Sequence, residues 1–253
     1  AIKADGSLWA WGGNAGGELG DGTTSARSSP VQIATGYITV AAGNSHTVGV
    51  KGDGSLWSWG KNDFGQLGDG TTNQHNVPIR IGTDFCAVAA GTSHSVALKT
   101  DGSLWAWGSN NNGQVGDDTG NDRYMPTLIG NGFSAVAAGA FHTVALKTDG
   151  SLWGWGRNGA GQLGNGTFGD RYAPTLIGAG FSAVAAGVSH TIALKTDGSV
   201  WAWGSNISGQ LGDGTTPKGD GTTTNRFSPV TVSGLSGIVA VAAGGDHSLA
   251  IKS

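Results

Sequence analysis

A step of 48 residues governs this sequence. Asp-Gly pairs begin at Asp5, Asp53, Asp101, Asp149 and Asp197, and Pro30, Pro78, Pro126 and Pro174 keep the same 48-residue interval. So do His46, His94, His142 and His190. A fifth unit breaks step: Pro229 follows Pro174 by 55 residues and His247 follows His190 by 57, most of the extra length lying in "DGTTPKGDGTTTNRFSP". A repeat of this length marks an array whose units bury their apolar faces against one another. Units three and four are nearly the same sequence, which points to duplication within the chain.

Each unit reads as four short strands. "SLWAWG" alternates, putting Trp105 and Trp107 on one face and Leu104 and Ala106 on the other. "PTLIG" is a second strand, with proline at its start where no ladder donor is lost. "SAVAAG" is a third and "HTVALK" a fourth, joined to the next "SLWAWG" through a Thr-Asp-Gly hairpin turn. No stretch has a sustained helical period. Four strands per unit of about 40–50 residues predict an all-β chain of β-propeller blades. The 48 glycines then read as turn residues, since ten tryptophans and 38% hydrophobic residues supply ample burial.

The pattern "GxxHxxALKxDGSLWxWGxNxxGQLGxGT…P" resembles the repeat of the regulator of chromosome condensation family, with five successive matches over essentially all 253 residues. The resemblance implies a propeller, usually of seven blades. This chain departs from it in having five units and no long inserted hairpin like the wedge with which the nuclear member engages its GTPase. That departure counts against nucleotide exchange. Relatives range from the eukaryotic exchange factor to secreted bacterial inhibitors of β-lactamases. Low charge, near-identical units and Gly/Thr/Asn richness resemble a bacterial, exported member.

One domain over 1–253 is expected, of repeats at about 5–52, 53–100, 101–148, 149–196 and 197–253. The chain opens with "AIKADG" and closes with "LAIKS", both inside the same hairpin. The expected architecture is therefore five blades closed by pairing N- and C-terminal strands in one blade. The rival is a five-unit piece of a longer ring. Absence of an initiator Met and of a signal peptide implies a processed start or a chain cut from something longer.

The single cysteine, Cys86, excludes a disulfide framework and a thiolate-rich metal site, and its apolar strand predicts a small buried side chain. No apolar run approaches the roughly 18 residues of a membrane helix, so no membrane insertion is expected. A net charge of −3 gives no footprint for nucleic acid. No cofactor is implied. "DGTT" offers one carboxylate, too few for calcium, and "NxxGQLG" reads as a loop with Asn and Gly at left-handed positions.

Every unit carries its tryptophans at the same two places: Trp9 and Trp11, Trp57 and Trp59, Trp105 and Trp107, Trp153 and Trp155, Trp201 and Trp203. Bulky residues repeated in all units read as core between blades. His46, His94, His142, His190 and His247 open a strand without a carboxylate at a fixed offset, so they read as structural residues bonded to backbone.

One repeated pattern points outward. Three residues before each strand proline stand Arg27, His75, Arg123, Arg171 and Arg226, followed by Ser28, Asn76, Tyr124, Tyr172 and Phe227. Arg beside Tyr is enriched at protein interfaces. The competing reading has these cations bonding a neighbouring blade's carbonyls. Partner choice would reside where the units differ: Lys61, Asp63 and Phe64, Asn111 and Asn112, Phe141, Arg157, Ile207, and the long loop Pro217 to Phe227. The expected function is a non-catalytic scaffold binding a macromolecule, a protein, through loops on one rim. Alternatives are a GTPase regulator acting through residues 213–228, a glycan-binding propeller, and a self-assembling extracellular unit.

Overall fold

The computed structural model describes residues 1–215 and 224–253, and these residues contain strands and turns but no α-helix. They form two compact units, one of residues 1–111 with 121–131, the other of 112–120 with 132–253.

In the first unit lie β1 (Leu8–Gly12), β2 (Arg27–Ala34), β3 (Tyr37–Ala42), β4 (His46–Lys51) and β5 (Leu56–Gly60). With them are β6 (His75–Gly82), β7 (Phe85–Ala90), β8 (His94–Lys99), β9 (Leu104–Gly108) and β10 (Arg123–Gly130). β1 and β2 form a two-stranded sheet, while β3 to β6 and β7 to β10 form four-stranded sheets in chain order. The second unit holds β11 (Phe133–Ala138), β12 (His142–Lys147), β13 (Leu152–Gly156), β14 (Arg171–Gly178) and β15 (Phe181–Ala186). It continues with β16 (His190–Lys195), β17 (Val200–Gly204), β18 (Arg226–Thr231), β19 (Ile238–Ala243) and β20 (Ser248–Lys252). There β11 to β14 and β15 to β18 are four-stranded and β19–β20 two-stranded. All neighbouring strands within these sheets run antiparallel, as for β12 against β13 and β13 against β14.

The Asp-Gly turn sits in the middle of each blade. Asp53 Oδ1 accepts from the Ser55 amide at 2.9 Å, and Gly54, at φ +78°, closes the hairpin between β4 and β5 in a region an L side chain rarely enters. Each blade therefore takes two strands from one sequence repeat and two from the next. The terminal strands are not joined into one blade as expected: β1–β2 and β19–β20 are separate sheets. The free edge of β1 carries residues 1–3 instead. Ile2 bridges Leu8, and Ala1 and Trp9 exchange backbone bonds of 2.7 and 2.8 Å.

The core forms between consecutive blades. Val48, Val50 and Leu56 of one blade pack on Phe85, Ala97 and Trp107 of the next, and Leu146 and Leu152 meet Phe181, Ala193 and Trp203 in the same way. Covered on both faces, β4, β8, β12 and β16 read as nearly continuous buried runs. Each fully buried side chain of this size contributes about 1.5–3 kcal/mol. At β20, Leu249 and Ile251 remain 60% and 63% exposed.

Two strand starts differ from expectation. The edge strands begin at the cation, not at the proline. In β10 the pairing with β9 jumps from Arg123↔Gly108 to Thr127↔Ala106, so Pro126 falls where no ladder donor is required. The third strands begin at buried aromatics, Tyr37, Phe85, Phe133 and Phe181, which the sequence reading passed over. Tyr37 meets Trp59 edge to face at 6.0 Å, and Phe181 meets Trp203 at 6.3 Å. A register shift directly after that aromatic pairs Phe85 with Lys99 and Ala87 with Leu98, leaving Cys86 out of the ladder. The bulge turns Cys86 to solvent, which overturns the expectation of a small buried side chain.

Candidate binding surface

Strand register aligns three repeat positions in one row at an end of each four-stranded blade. His46 opposes Gly60, which opposes His75, and His142, Gly156 and Arg171 form the same row two blades later. His94, Gly108 and Arg123 repeat it, as do His190, Gly204 and Arg226. In the two-stranded β1–β2 sheet, Gly12 opposes Arg27. Loops bearing the variable residues leave from this row.

Three of the cations pair with carboxylates, not with a neighbouring blade's carbonyl. Arg27 reaches Asp21 Oδ2 at 2.6 Å, His75 reaches Asp69 Oδ2 at 2.9 Å, and Arg226 reaches Asp213 Oδ2 at 2.6 Å. Each carboxylate belongs to the Gly-Asp-Gly-Thr turn of the cation's own repeat. Its other oxygen accepts from the Thr two residues on, as Asp21 Oδ1 does from Thr23 N and Oγ1 at 3.0 and 2.7 Å. The Thr23 hydroxyl, ahead of Arg27, holds the Asp21 carboxyl down to about 2. Arg171 has no such carboxylate, because residue 165 is Asn. Its guanidinium donates to Thr167 Oγ1 at 3.4 Å.

Residues following the cations cover the preceding repeat's loop. Because the register jump frees their carbonyls from the ladder, Tyr124 accepts from Gly70 N and Phe227 from Gly166 N, at 2.9 and 2.7 Å. Their rings lie over loop glycines: a Cβ at Gly161 (φ +81°) would stand 2.6 Å from Phe227 Cδ1. The outer faces of these rings remain open, at 45% for Tyr124 and 39% for both Tyr172 and Phe227. Met125 and Phe168, which the sequence reading passed over, are 64% and 75% exposed. Phe168 meets Phe227 edge to face at 6.5 Å. A signal for Phe168 was present, since units one to three hold Thr24, Thr72 and Gly120 at its place.

Two variable positions meet directly. The Arg157 guanidinium stands 5.7 Å from the centre of the half-buried Phe141 ring, and its amide donates to the Phe141 carbonyl at 2.8 Å. Lys61 pairs with Asp63 at 2.9 Å on the exposed tip that also carries Phe64. Asn112 N donates to Gln114 Oε1 at 3.0 Å, Asn111 stands beside it in the same loop, and Ile207 is 55% exposed. Residues 216–223, most of the long fifth-unit loop, lie outside the described residues.

The histidines link blades through side chains, not backbone. Ser95 Oγ donates to the Gln66 carbonyl at 2.7 Å, so the bond of 2.9 Å between Ser95 Oγ and His46 Nε2 takes its proton from the imidazole. His142 donates likewise to Thr191 Oγ1 and His190 to Ser248 Oγ, both at 3.1 Å. Their Nδ1 atoms are buried without a partner, the state of a neutral ring. Burial pushes His46 down to about 4 and His142 to about 3, the neighbouring His190 adding to the second. His247 is exposed.

The tryptophans divide by position. Trp59, Trp107, Trp155 and Trp203 are fully buried and donate to the main-chain carbonyls of Glu18, Gln66, Gln114 and Gln162 in the preceding repeat. Trp9, Trp57, Trp105, Trp153 and Trp201 are half-buried and donate to the serine of their own turn. Lysines lie over these rings, as Lys195 over Trp201 at 4.1 Å. Trp11 departs from the expected core role at 51% exposure, because among the described residues no earlier loop covers it.

The loop asparagines also serve another purpose than expected. Asn14 Nδ2 donates to Asp21 Oδ1 and Ser25 O while its Oδ1 accepts from Leu19 N at 2.9 Å, so the amide ties the loop together. Only Asp84 and Asp118 take positive φ among described non-glycine residues. Clefts of about 460 Å³ beside Trp11 and about 420 Å³ beside Leu249 mark the uncovered faces of the two terminal sheets. Among the described residues no three His, Cys, Asp or Glu side chains gather as metal ligands, and no helix is long and apolar enough to cross a membrane.

Among curated proteins no match is found. Solved structures do match. Human WBSCR16 superposes with a TM-score of 0.83 at 24% identity, covering 99% of this chain and 68% of its own. Yeast Prp20, determined bound to Kap60, gives a TM-score of 0.86 at 22% identity, covering 100% and 65%. A second structure of Prp20p from Saccharomyces cerevisiae, described with its binding properties to Gsp1p and histones, gives 0.85 at 23%, covering 99% and 65%. The chain thus spans about two thirds of the length of these proteins, and the likeness is one of fold: four-stranded antiparallel β-propeller blades. The pattern of the RCC1-like domain matches from residue 1 to residue 253, and the chain belongs to that family.

Proposed function

We propose that this chain is a non-catalytic scaffold that binds a protein through the loops at the cation-bearing end of its blades. One observation carries the reading. In the second unit Phe168, Tyr172 and Phe227 are 75%, 39% and 39% exposed, and the carbonyls of Tyr172 and Phe227 are held by the Asp118 and Gly166 amides of the preceding repeats' loops. Rigidly mounted aromatic rings offer large contact area at little entropic cost. The paired carboxylates, imidazoles and cations are committed to holding turns and blades, which leaves the loop tips for recognition. The recorded binding of Prp20 to Kap60, and of Prp20p to Gsp1p and histones, supports a protein as the partner class.

The test is affinity capture with the purified chain, followed by reconstitution with each purified partner. Phe168→Ala and Met125→Ala remove exposed side chains with little effect on folding. A loss of about tenfold or more in affinity in either variant supports the reading, that being the scale of an interface hot spot. Unchanged binding in both, and in Tyr172→Ala, overturns it.

A GTPase-regulating role is the second reading, favoured by the likeness to Prp20p, whose binding to Gsp1p is recorded. The segment expected to perform it, residues 213–228, lies largely outside the described residues. Nucleotide release from a purified GTPase at unchanged rate would exclude it for that GTPase.

A further inference from the structure

The fourth repeat breaks a charge pairing that its sisters keep. Asp21, Asp69 and Asp213 each give one oxygen to their turn and the other to Arg27, His75 or Arg226. At the equivalent place Asn165 supplies the turn oxygen alone. Its Oδ1 accepts from Asn158 Nδ2 at 3.1 Å, Thr167 N at 3.1 Å and Thr167 Oγ1 at 2.8 Å. Three donors on one oxygen fix the amide's orientation and turn Nδ2 to where an Asp would present its second oxygen.

That Nδ2 is buried and has no partner. Arg171 keeps the pose of its sisters, with 3.4 Å from its guanidinium to Thr167 Oγ1 against 3.5 Å from Arg27 to Thr23 Oγ1. Among the described residues Arg171 makes no ion pair. The neighbouring Asp170 is committed, its Oδ1 accepting the Asn158 amide at 2.8 Å. Two donors, one of them a full charge, therefore face a place from which the acceptor has been removed. Phe168, Phe227 and Tyr172 of the same unit carry exposed rings, and Tyr172 directly follows Arg171 in the chain.

We propose that this place receives a carboxylate from an acidic segment of a partner protein. The incoming oxygen accepts from the Arg171 guanidinium and from Asn165 Nδ2, replacing the internal Asp oxygen of the sister repeats, while the aromatic rings cover the flanking residues of the segment. Charge-assisted bonds of this kind are about twice as strong as neutral ones, and shielding by rings lessens their screening by water. The proposal rests on the protein-binding reading above and names the chemistry of one contact within it.

Fluorescence anisotropy with labelled hexaglutamate and hexaglutamine tests it, using the full chain. The wild type is expected to hold hexaglutamate at least about tenfold more tightly, a difference within reach of one charged hydrogen-bonded contact. Asn165→Asp restores the sister arrangement, so it should fold at least as stably and lose that preference. Arg171→Gln should lose it as well. Equal binding of the two peptides by the wild type, or full hexaglutamate binding by Asn165→Asp, overturns the proposal. So does displacement by inorganic phosphate with no displacement by acetate, which would mark a phosphate site. A captured protein still sensitive to Phe168→Ala but indifferent to Asn165→Asp removes the carboxylate contact alone. Loss of the broader reading requires indifference to Phe168→Ala, Met125→Ala and Tyr172→Ala together.

Discussion

Trp107 Nε1 donates to the main-chain carbonyl of Gln66, 2.9 Å away and 41 residues earlier in the chain. The same carbonyl accepts the hydroxyl of Ser95 at 2.7 Å, and Ser95 in turn accepts from His46. A blade is thus bound to the loop of the repeat before it through groups with no other way to satisfy their polarity when buried. Trp155→Phe should cost about 1–3 kcal/mol through the lost bond and the space left behind. Trp11→Phe, at an exposed side chain, should stay within about 0.5 kcal/mol. Urea unfolding of both variants checks the contrast.

Neutral buried histidines set the acid limb of stability. The unfolded imidazole titrates near 6.5 while burial holds His46 at about 4 and His142 at about 3. Above pH 6.5 both states are neutral and nothing changes. Below it the unfolded chain binds protons that the folded chain refuses, so stability falls toward pH 4 by up to about 1.4 kcal/mol per pH unit for each such histidine. Denaturant midpoints measured at pH 5.0, 5.5, 6.0 and 6.5 should rise with pH, and His142→Gln should flatten the slope. The turn aspartates add stability above about pH 3.8 that is lost only at lower pH, since their carboxyls are lowered.

Gly161 and Gly209 occupy equivalent turns with similar backbones, φ +81° and +75°, but differ in what lies above them. A Cβ at Gly161 would press on Phe227, whereas at Gly209 nothing lies within 4 Å. Gly209→Ala should cost about 1–2 kcal/mol from left-handed strain alone. Gly161→Ala should cost more, and Phe227→Ala should relieve only the ring's share of that excess, since Arg226 O and Phe227 Cα also stand 2.8 Å from that Cβ. Thermal denaturation of the two single variants and the Gly161→Ala/Phe227→Ala pair measures the coupling.

Cys86 lies on a bulge and is exposed, its Sγ donating to the Leu98 carbonyl at 3.4 Å. Partial burial, with the nearby Asp101 carboxylate, pushes its thiol up. Ellman's reagent should modify it in the folded chain without denaturant, but slowly at pH 7 and faster as pH rises. No reaction before unfolding would contradict the outward placement.

The aspartate that meets Arg27 could have been read from the repeat column, because Asp21, Asp69 and Asp213 precede their cations in every matching unit. It was missed because turn chemistry alone accounts for those aspartates, and a second oxygen leaves no mark in a sequence. Asn165 was missed for the same reason: an Asn serves the turn as well as an Asp, and the change matters only to a cation brought beside it by strand pairing. Cys86 misled because its neighbours alternate as a regular strand, while one skipped pairing after Phe85 reverses which side it faces.

By itself the sequence determined what is local and repeated. Alternation made strands, Asp-Gly made hairpins, and the 48-residue step made a series of equivalent blades. These follow from backbone geometry within a few residues, and five copies separate the signal from chance. Tertiary structure alone decided which groups meet across the repeats, over separations of 29, 41 and 49 residues. It also decided that Trp11 is exposed and that Arg171 reaches a threonine hydroxyl where Arg27 and Arg226 also meet carboxylates. Such contacts depend on how blade packs on blade. Their energies come from removing polar groups from water together, a condition no single stretch of chain imposes.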